Sequence, residues 1–347
     1  MNTGIAEARP AAVGAGREEH LLATRALDFS VVIPLFNKAP HVEAAVRSAL
    51  EQTLPPREVI VIDDGSTDGS LEIVRSIRHP ALKLLTRSPP GPGGYAARNL
   101  GIRSAEGEWV AFLDADDCWH PDHLEALSAA AGAVAAPIGC LFGAFDMVAP
   151  DRRWRYPQSG RFLRPGRPLP LETILRAWLH SRNCPIWTGA AAFRRQLLLD
   201  AGLFPDQGVR RGGDKDLWLR ALALADAAYS PRVTADFHQA SVNRVSLQTG
   251  HQQLPVITGT IRAMIGTAPA PTRTLLRRLS NQEITLYSRH AAGAGAPTLR
   301  HARELYFPVG LASLLEMAAY FIAGLPLKLA RARRSRAIGG SPARSSL

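Results

Sequence analysis

From Phe29 onward, apolar residues come in short dense runs separated by polar breaks, and the spacing inside each run tells strand from helix. Phe29 to Phe36 is a continuous apolar run, broken at Asn37-Lys38 and followed by Val42, Val46 and Leu50 at helical intervals. A second run, Glu58-Val-Ile-Val-Ile62, ends in Asp63-Asp64-Gly65-Ser66-Thr67-Asp68, after which Leu71, Ile73, Val74 and Ile77 predict another helix. Leu82 to Leu85 reads as a third strand. Ser88-Pro-Pro-Gly-Pro-Gly-Gly94 is a loop, because Pro and Gly at that density break both helix and ladder. Helix resumes over Tyr95 to Ala105, and Trp109-Val-Ala-Phe-Leu113 forms a fourth strand running into Asp114-Ala115-Asp116-Asp117. Buried strands alternating with helices of this length predict an α/β fold with a doubly wound, mostly parallel sheet. Ligands of such sheets sit beyond the carboxyl ends of the strands, where both acidic clusters fall.

After Pro137 the texture changes. Ile138 to Phe145 predicts a strand, Asp151 to Pro170 a long exposed basic loop, Trp187 to Phe193 a strand, Asp214 to Ala225 a helix and Tyr229 to Phe237 a further strand. From about Thr249 the chain reads as helices with Ala, Gly and Pro breaks, ending in an apolar segment, Phe307 to Leu327. The expected organisation is a loose, disordered extension over residues 1–28, a main domain over 29–245, a helical region over 246–327 and a flexible basic tail over 328–347.

Charge alters the picture at one end only. The 347 residues carry a formal net charge of +11, but Lys328, Arg331, Arg333, Arg334, Arg336 and Arg344 supply six of those charges with no acid among them. The body before them is left with only +5, which argues against a nucleic-acid-binding body and for a tail facing an anionic surface. Cys118, Cys140 and Cys184 are too few and scattered for a disulfide framework or zinc knuckle, which fits a reducing compartment. Residues 1–28 mix Glu7, Glu18, Glu19 and Asp28 into an Ala/Gly-rich stretch and lack an apolar core of signal-peptide length.

Three constellations carry candidate chemistry, each with a plainer alternative. Asp114 and Asp116 beyond a buried strand suit a hard divalent ion completed by substrate phosphates, or a polar loop starting the next helix. Asp63-Asp64-Gly65-Ser66 suits a turn that satisfies its own backbone, or a carboxylate accepting the imide N–H of a uracil ring. The Gly-rich loop before the helix containing Arg98 suits a diphosphate, through backbone N–H groups or the guanidinium, or a simple connection.

Taken in order, Ser30-Val-Val-Ile-Pro-Leu-Phe-Asn37, Val59-Ile-Val-Ile-Asp-Asp-Gly-Ser-Thr-Asp68, Ala97-Arg-Asn-Leu-Gly-Ile102, Glu106-Gly-Glu-Trp-Val-Ala-Phe-Leu-Asp-Ala-Asp-Asp117 and Asp214-Lys-Asp-Leu-Trp-Leu-Arg220 resemble the family-2 glycosyltransferases. The resemblance is strong over about 29–125, weaker to about 240, and then fades. It implies an inverting enzyme of GT-A fold with a donor-binding half over 29–125 and an acceptor half over 126–245. By the same resemblance Asp64 recognises the uracil of a UDP-sugar, with Pro34, Leu35 and Asn37 lining the base and ribose. Asp114 and Asp116 hold Mn2+ or Mg2+, with Asp116 the direct ligand, and His238 contacts the metal or diphosphate. Arg98 assists at the diphosphate, and Asp214 is the catalytic base. One departure stands out: the Glu that usually precedes that base is Gly213 here. Asp216 points about 200° away from Asp214 around a helix, so only one of them can reach the sugar. Trp187 or Trp218 could stack on a sugar ring, although Trp218 between two leucines reads as core.

The implied reaction moves a sugar from a nucleoside diphosphate sugar to a hydroxyl of a glycan or lipid-linked acceptor, in cell-surface polysaccharide synthesis. A non-catalytic nucleotide-sugar scaffold, raised by Gly213, and a metal-dependent nucleotidyltransferase remain as alternatives. In the C-terminal segment, Leu311, Leu314, Leu315, Ala318, Ile322 and Leu325 fall on one helical face and Ser313, Glu316, Tyr320 and Gly324 on the other. With the basic residues that follow, this predicts a helix lying on an anionic membrane at the cytoplasmic inner face. A helix packed on the protein and a true span are the other readings.

Overall fold

The computed structural model describes residues 26–242 and 253–339, with side chains of the last helix to residue 326. The expected extension up to residue 25 and the tail from 340 lie outside the described residues. The chain opens with β1 (Phe29–Leu35), α1 (Val42–Leu50), β2 (Glu58–Asp63), α2 (Ser70–Ser76), β3 (Leu82–Thr86), α3 (Tyr95–Ser104) and β4 (Trp109–Phe112). All six residues of β2 are buried, as expected for a parallel strand covered on both faces. In α1 the buried set Val42, Ala45, Val46 and Ala49 follows the i, i+3, i+4, i+7 stripe that seats a helix on a sheet.

The next elements are β5 (Cys118–Trp119), α4 (His123–Gly132), β6 (Cys140–Ala149), β7 (Arg152–Arg155), α5 (Leu171–Ser181), β8 (Ala191–Arg194), α6 (Arg195–Asp200), α7 (Gly213–Leu222) and β9 (Ala227–His238). The sheet runs β3-β2-β1-β4-β8-β6-β9-β5, with β7 added on β6. β3, β2, β1 and β4 are mutually parallel, as the alternating pattern predicts. Beyond β4 the sheet is mixed: β8 is antiparallel to β4 and β6, β6 is parallel to β9, and β5 is antiparallel to β9. Alternate residues feed two cores. Val31, Ile33, Val59 and Trp109 pack with α1, α2 and α4 on one face. Val32, Ile60 and Phe112 pack with α3, α5, α6, α7 and the C-terminal helices on the other.

Two expectations need correction here. The segment 151–170 is not simply an exposed loop: Arg152–Arg155 pairs antiparallel with Asp146–Ala149, and Leu163 and Leu169 are buried. Three arginines around the single Trp154 make an edge strand without a continuous apolar run, so hydropathy alone misses it. Trp187 to Phe193 is not one strand either. A 3-10 turn at Thr188–Ala190 precedes β8, and within it the Trp187 ring lies 2.5 Å from where a Cβ on Gly189 would stand, so only glycine fits there.

The C-terminal region adds α8 (Ile257–Ile265), α9 (Ala270–Gly293) and α10 (Leu311–Gly339). Among the described residues no helix is long and apolar enough to cross a membrane. The helix continues to Gly339, where the sequence predicts a flexible tail from 328. The side of α10 that faces the protein carries Glu316, Tyr320 and Gly324 of the polar face. Met317 and Gly324 are buried, and Glu316 accepts two hydrogen bonds from Arg182 at 2.7 and 2.9 Å and one from Tyr320. A Cβ on Gly324 would come within 2.9 Å of Ala292 and Pro297, so the missing side chain lets α10 approach α9 closely. Leu311, Leu315 and Ile322 are left 58%, 65% and 66% exposed.

Candidate functional site

The β1–β2 register pairs Leu35 with Asp63, which brings two strand ends level at one edge of the sheet. Asp63 is a turn residue: its carboxylate accepts the N–H groups of Gly65 and Ser66 at 3.2 and 3.3 Å. Asp64 is buried and accepts from Arg87 at 2.5 Å and from the Gly91 N–H at 2.9 Å, so the Pro/Gly loop folds onto it. Asn37, in the left-handed region at φ 51°, ties the β1 turn to the β2 turn. Its side chain accepts the Thr67 N–H at 2.8 Å, and its N–H donates to Ser66 at 3.0 Å. Pro34 lies beside the Gly94–Arg98 turn, 3.8 Å from where a Gly94 Cβ would stand. The Leu35 side chain is fully buried in the core. At this edge it offers only its carbonyl, which accepts the Asp64 N–H at 2.8 Å.

β4 ends in the acidic run. Asp114 pairs with Arg98, and Asp116 with Lys38 at 2.7 Å. Burial pulls the Arg98 guanidinium down, but the charge and hydrogen bond of Asp114, with Tyr95 and Asp214, together outweigh it and hold the group above its ordinary value. Asp117 is fully buried; burial first, then the charges of Asp116 and Asp114, push its carboxyl well above the usual range. One Asp117 oxygen accepts the His238 N–H at 2.7 Å and the other has no partner, while the His238 ring nitrogen stands 3.9 Å away. No group of three or more His, Cys, Asp or Glu among the described residues is arranged to hold a metal alone. Hard carboxylate oxygens at Asp114 and Asp116, beside an orphaned buried oxygen on Asp117, do fit an ion whose remaining ligands are substrate phosphates. A cavity of about 560 Å³ between α5, α8 and α9, lined by Leu171, Glu172, Met264 and Thr272, includes none of these acids.

α7 separates the two candidate bases. Asp216 is buried and fully engaged: Arg220 donates to it at 2.8 and 3.1 Å, and Thr260 donates to its other oxygen. Asp214 lies in the first turn of α7 and is partly exposed, outside the hydrogen bonds and ion pairs that hold its neighbours. Between them Lys215 turns inward and donates to both oxygens of Glu283 at 2.9 and 2.8 Å; Trp178 donates to Glu283 at 3.1 Å. Trp218 is core, stacked on Phe193 at 4.2 Å, and Trp187 is sandwiched between Phe145 and Phe237 at 4.6 and 4.9 Å. The three cysteines are free, and burial raises each thiol above its ordinary value.

The fold therefore gathers Pro34, Asn37, Asp64, Arg98, Asp114, Asp116 and His238 around the strand ends. Sequence reasoning missed Lys38, Tyr95, Arg87, Lys215 and Glu283. Lys38 and Tyr95 stood next to recognised motifs, whereas the long-range pairing of Lys215 with Glu283 left no local signal.

Residues 30–201 match the model of the Glycosyl transferase family 2 domain. The succinoglycan biosynthesis protein ExoO of Rhizobium meliloti is 32% identical over 224 residues, covering 63% of each chain. Across three curated relatives, the chain spans 31%, 63% and 39% of their length. Among solved structures, S. aureus TarS 1-349 in complex with UDP-GlcNAc superposes with a TM-score of 0.62 at 18% identity, covering 89% of this chain and 92% of that one. The mannosyltransferase PcManGT from Pyrobaculum calidifontis, in complex with GDP-Man and Mn2+, gives 0.53 at 24% identity over 88% of both chains. The ordered motifs, the parallel half-sheet with its acidic edge, and these likenesses agree: the chain folds as a GT-A protein and belongs to glycosyltransferase family 2.

Proposed function

We propose that the chain is an inverting, metal-dependent glycosyltransferase. It moves a sugar from a UDP-sugar to a hydroxyl of a glycan or lipid-linked acceptor, in the synthesis of a cell-surface polysaccharide. The observation that carries this reading is the division of labour in α7, where Asp216 is locked into structure and Asp214 is left uncommitted at the helix start. Asp214 accepts the proton of the acceptor hydroxyl as its oxygen attacks the anomeric carbon from the face opposite the leaving group. Arg98 and Lys38, held at the strand ends by Asp114 and Asp116, offset the charge developing on the departing diphosphate. Asp64 binds the uracil edge, and Asn37 and Pro34 border the ribose. Mn2+ or Mg2+ on Asp114 and Asp116, with His238 nearby, would supply further charge neutralisation when bound. The metal and nucleotide parts draw on PcManGT, solved with GDP-Man and Mn2+, and on TarS, solved with UDP-GlcNAc. The polysaccharide part draws on the succinoglycan protein.

The test is release of UDP from UDP-sugars in the presence of Mn2+, with and without candidate acceptors. Slow UDP leakage that accelerates with acceptor supports the transferase. No turnover with retained binding would indicate a scaffold, and release of pyrophosphate from a nucleoside triphosphate a nucleotidyltransferase.

A second proposal concerns location. Phe307, Leu311, Leu315 and Ile322 are large exposed apolar residues, and Lys328 and five arginines follow. They suit a surface lying on an anionic inner-leaflet membrane on the cytoplasmic side. Flotation of the full chain with anionic vesicles at low salt, lost in Leu315→Asp, supports it; a full chain that stays at the bottom of the gradient refutes it.

A further inference from the structure

Two glycine-rich segments meet beside Asp214. A Cβ on Gly93 would lie 2.9 Å from the carbonyl oxygen of Arg210, so the loop before α3 rests directly on the backbone leading into α7. One turn further, the buried Gly213 N–H donates to the Tyr95 hydroxyl at 3.0 Å. The first residues of a helix have N–H groups with no partner in the helix, and here a side chain from another helix supplies one. The ring also fills space: a Cβ on Gly213 would come within 2.9 and 3.0 Å of Tyr95 ring carbons and 3.1 Å of Pro205. Gly213 does not have a positive φ, so steric room and not backbone freedom requires a glycine there. Tyr95 itself is fixed. It is 8% exposed, stacks on Phe204 at 5.5 Å, and lies 5.9 Å from the Arg98 guanidinium that pairs with Asp114.

From this geometry we infer that Tyr95 is the positioning residue for Asp214. Its hydroxyl holds the first turn of α7 by the Gly213 N–H, and its ring occupies the volume that a side chain at 213 would take. It thereby sets the base at a fixed place relative to Arg98 and the diphosphate side. This rests on the assignment of Asp214 as base. Burial and the neighbouring Asp214 charge keep the phenol protonated, so it acts through hydrogen bonding and packing and does not itself take the acceptor proton. A misplaced base costs rate more than it costs donor binding, because the donor's contacts lie elsewhere.

The experiment is a kinetic series on the full chain: Tyr95→Phe, Tyr95→Ser, Gly213→Ala, the Tyr95→Ser/Gly213→Ala pair and Asp214→Asn, with kcat, donor KM and melting temperature for each. Tyr95→Phe keeps the ring and leaves the Gly213 N–H unpaired; kcat should fall on the order of tenfold, with donor KM changed less than about twofold. Gly213→Ala forces the ring and the turn apart and should lower kcat on the order of a hundredfold. In the Tyr95→Ser background the ring clash is gone, so adding Gly213→Ala should cost much less than it does alone. Unchanged kcat in Tyr95→Phe together with additive effects in the pair would overturn the inference while leaving the base assignment standing. An Asp214→Asn variant with wild-type kcat would overturn the base assignment and the inference with it.

Discussion

Replacing Glu283 by glutamine keeps the side chain's shape and removes its charge, leaving the Lys215 ammonium without its counter-ion. Lys215 donates to both carboxylate oxygens, at 2.9 and 2.8 Å. Whichever way the amide is turned, its NH2 group faces an ammonium that has only donors. Glu283 is 1% exposed and the Lys215 side chain 22%, so water offers little relief. Breaking a buried pair by removing one partner costs about 3–5 kcal/mol, and the partial exposure of Lys215 favours the lower end, ~3 kcal/mol. At about 2 °C per kcal/mol for a chain of this size, the melting temperature should drop by roughly 6 °C. The pH dependence carries a sign. Burial pulls the Lys215 pKa down, but the charge and hydrogen bonds of Glu283, helped by Cys184 and Asp214, together outweigh it and hold the group above its ordinary 10.5. The pair's contribution is therefore complete below 10.5 and is lost only as pH rises through the higher folded value, so the wild type gains no slope from it between pH 6 and 9. In Glu283→Gln burial still lowers the group, and of the opposing influences only those of Cys184 and Asp214 are left. The unfolded chain then binds the proton more readily, and the variant's stability should rise with pH across the same window. Differential scanning fluorimetry from pH 6 to 9 measures both effects. A variant melting within about 1 °C of wild type at every pH would mean the pair is not the buried anchor between α7 and α9 described above.

Asp214→Asn should reduce transfer by about 10²- to 10⁴-fold with UDP binding and melting temperature kept, as loss of a general base requires. Asp216→Asn should mainly cost stability, about 1–3 kcal/mol, because it weakens the Arg220 and Thr260 bonds. If Asp216→Asn is the inactive variant at temperatures where it is folded, and Asp214→Asn is active, the base assignment is wrong. Calorimetric titration of UDP with and without Mn2+ should show Asp116→Ala losing metal-dependent affinity more than Asp64→Ala. Lys38→Met should tighten Mn2+ binding measured with the metal alone, since the ammonium lies 2.7 Å from an Asp116 oxygen; equal UDP affinity in EDTA removes the metal role. His123 is fully buried, donates to or accepts from Thr234 at 2.8 Å, and is pushed down to about 3 by burial and by His120. The unfolded chain takes up that proton first, so stability should fall by roughly 1.4 kcal/mol per unit as pH drops from about 6.5 towards 4. His123→Gln should flatten that limb of a melting-temperature profile, and an unchanged limb would refute the assignment.

The parallel half of the sheet was legible because its local pattern and its tertiary fate coincide. Runs such as Val59–Ile62 are apolar on both faces, and in the fold they are covered on both faces. The acids at 63–68 and 114–117 were legible for the same reason, since a polar break after a buried strand falls at the sheet's carboxyl edge whatever lies beyond it. The sequence by itself thus determined the α/β class, the family, and the edge at which the candidate site lies.

Tertiary structure alone decided matters that depend on residues far apart in the chain. Asp214 and Asp216 are chemically alike and two residues apart; Thr260 and Arg220 engage one and leave the other, and Thr260 comes from a helix about 44 residues away in the chain, beyond any local pattern. The basic edge strand Arg152–Arg155 exists because β6 extends far enough to pair with it. The docked face of α10 was chosen by Arg182, which pairs with Glu316, and by Ala292 and Pro297, which admit Gly324. A helical wheel ranks faces by hydrophobicity. A partner ranks them by fit and by satisfied charge, and here the two orders differ.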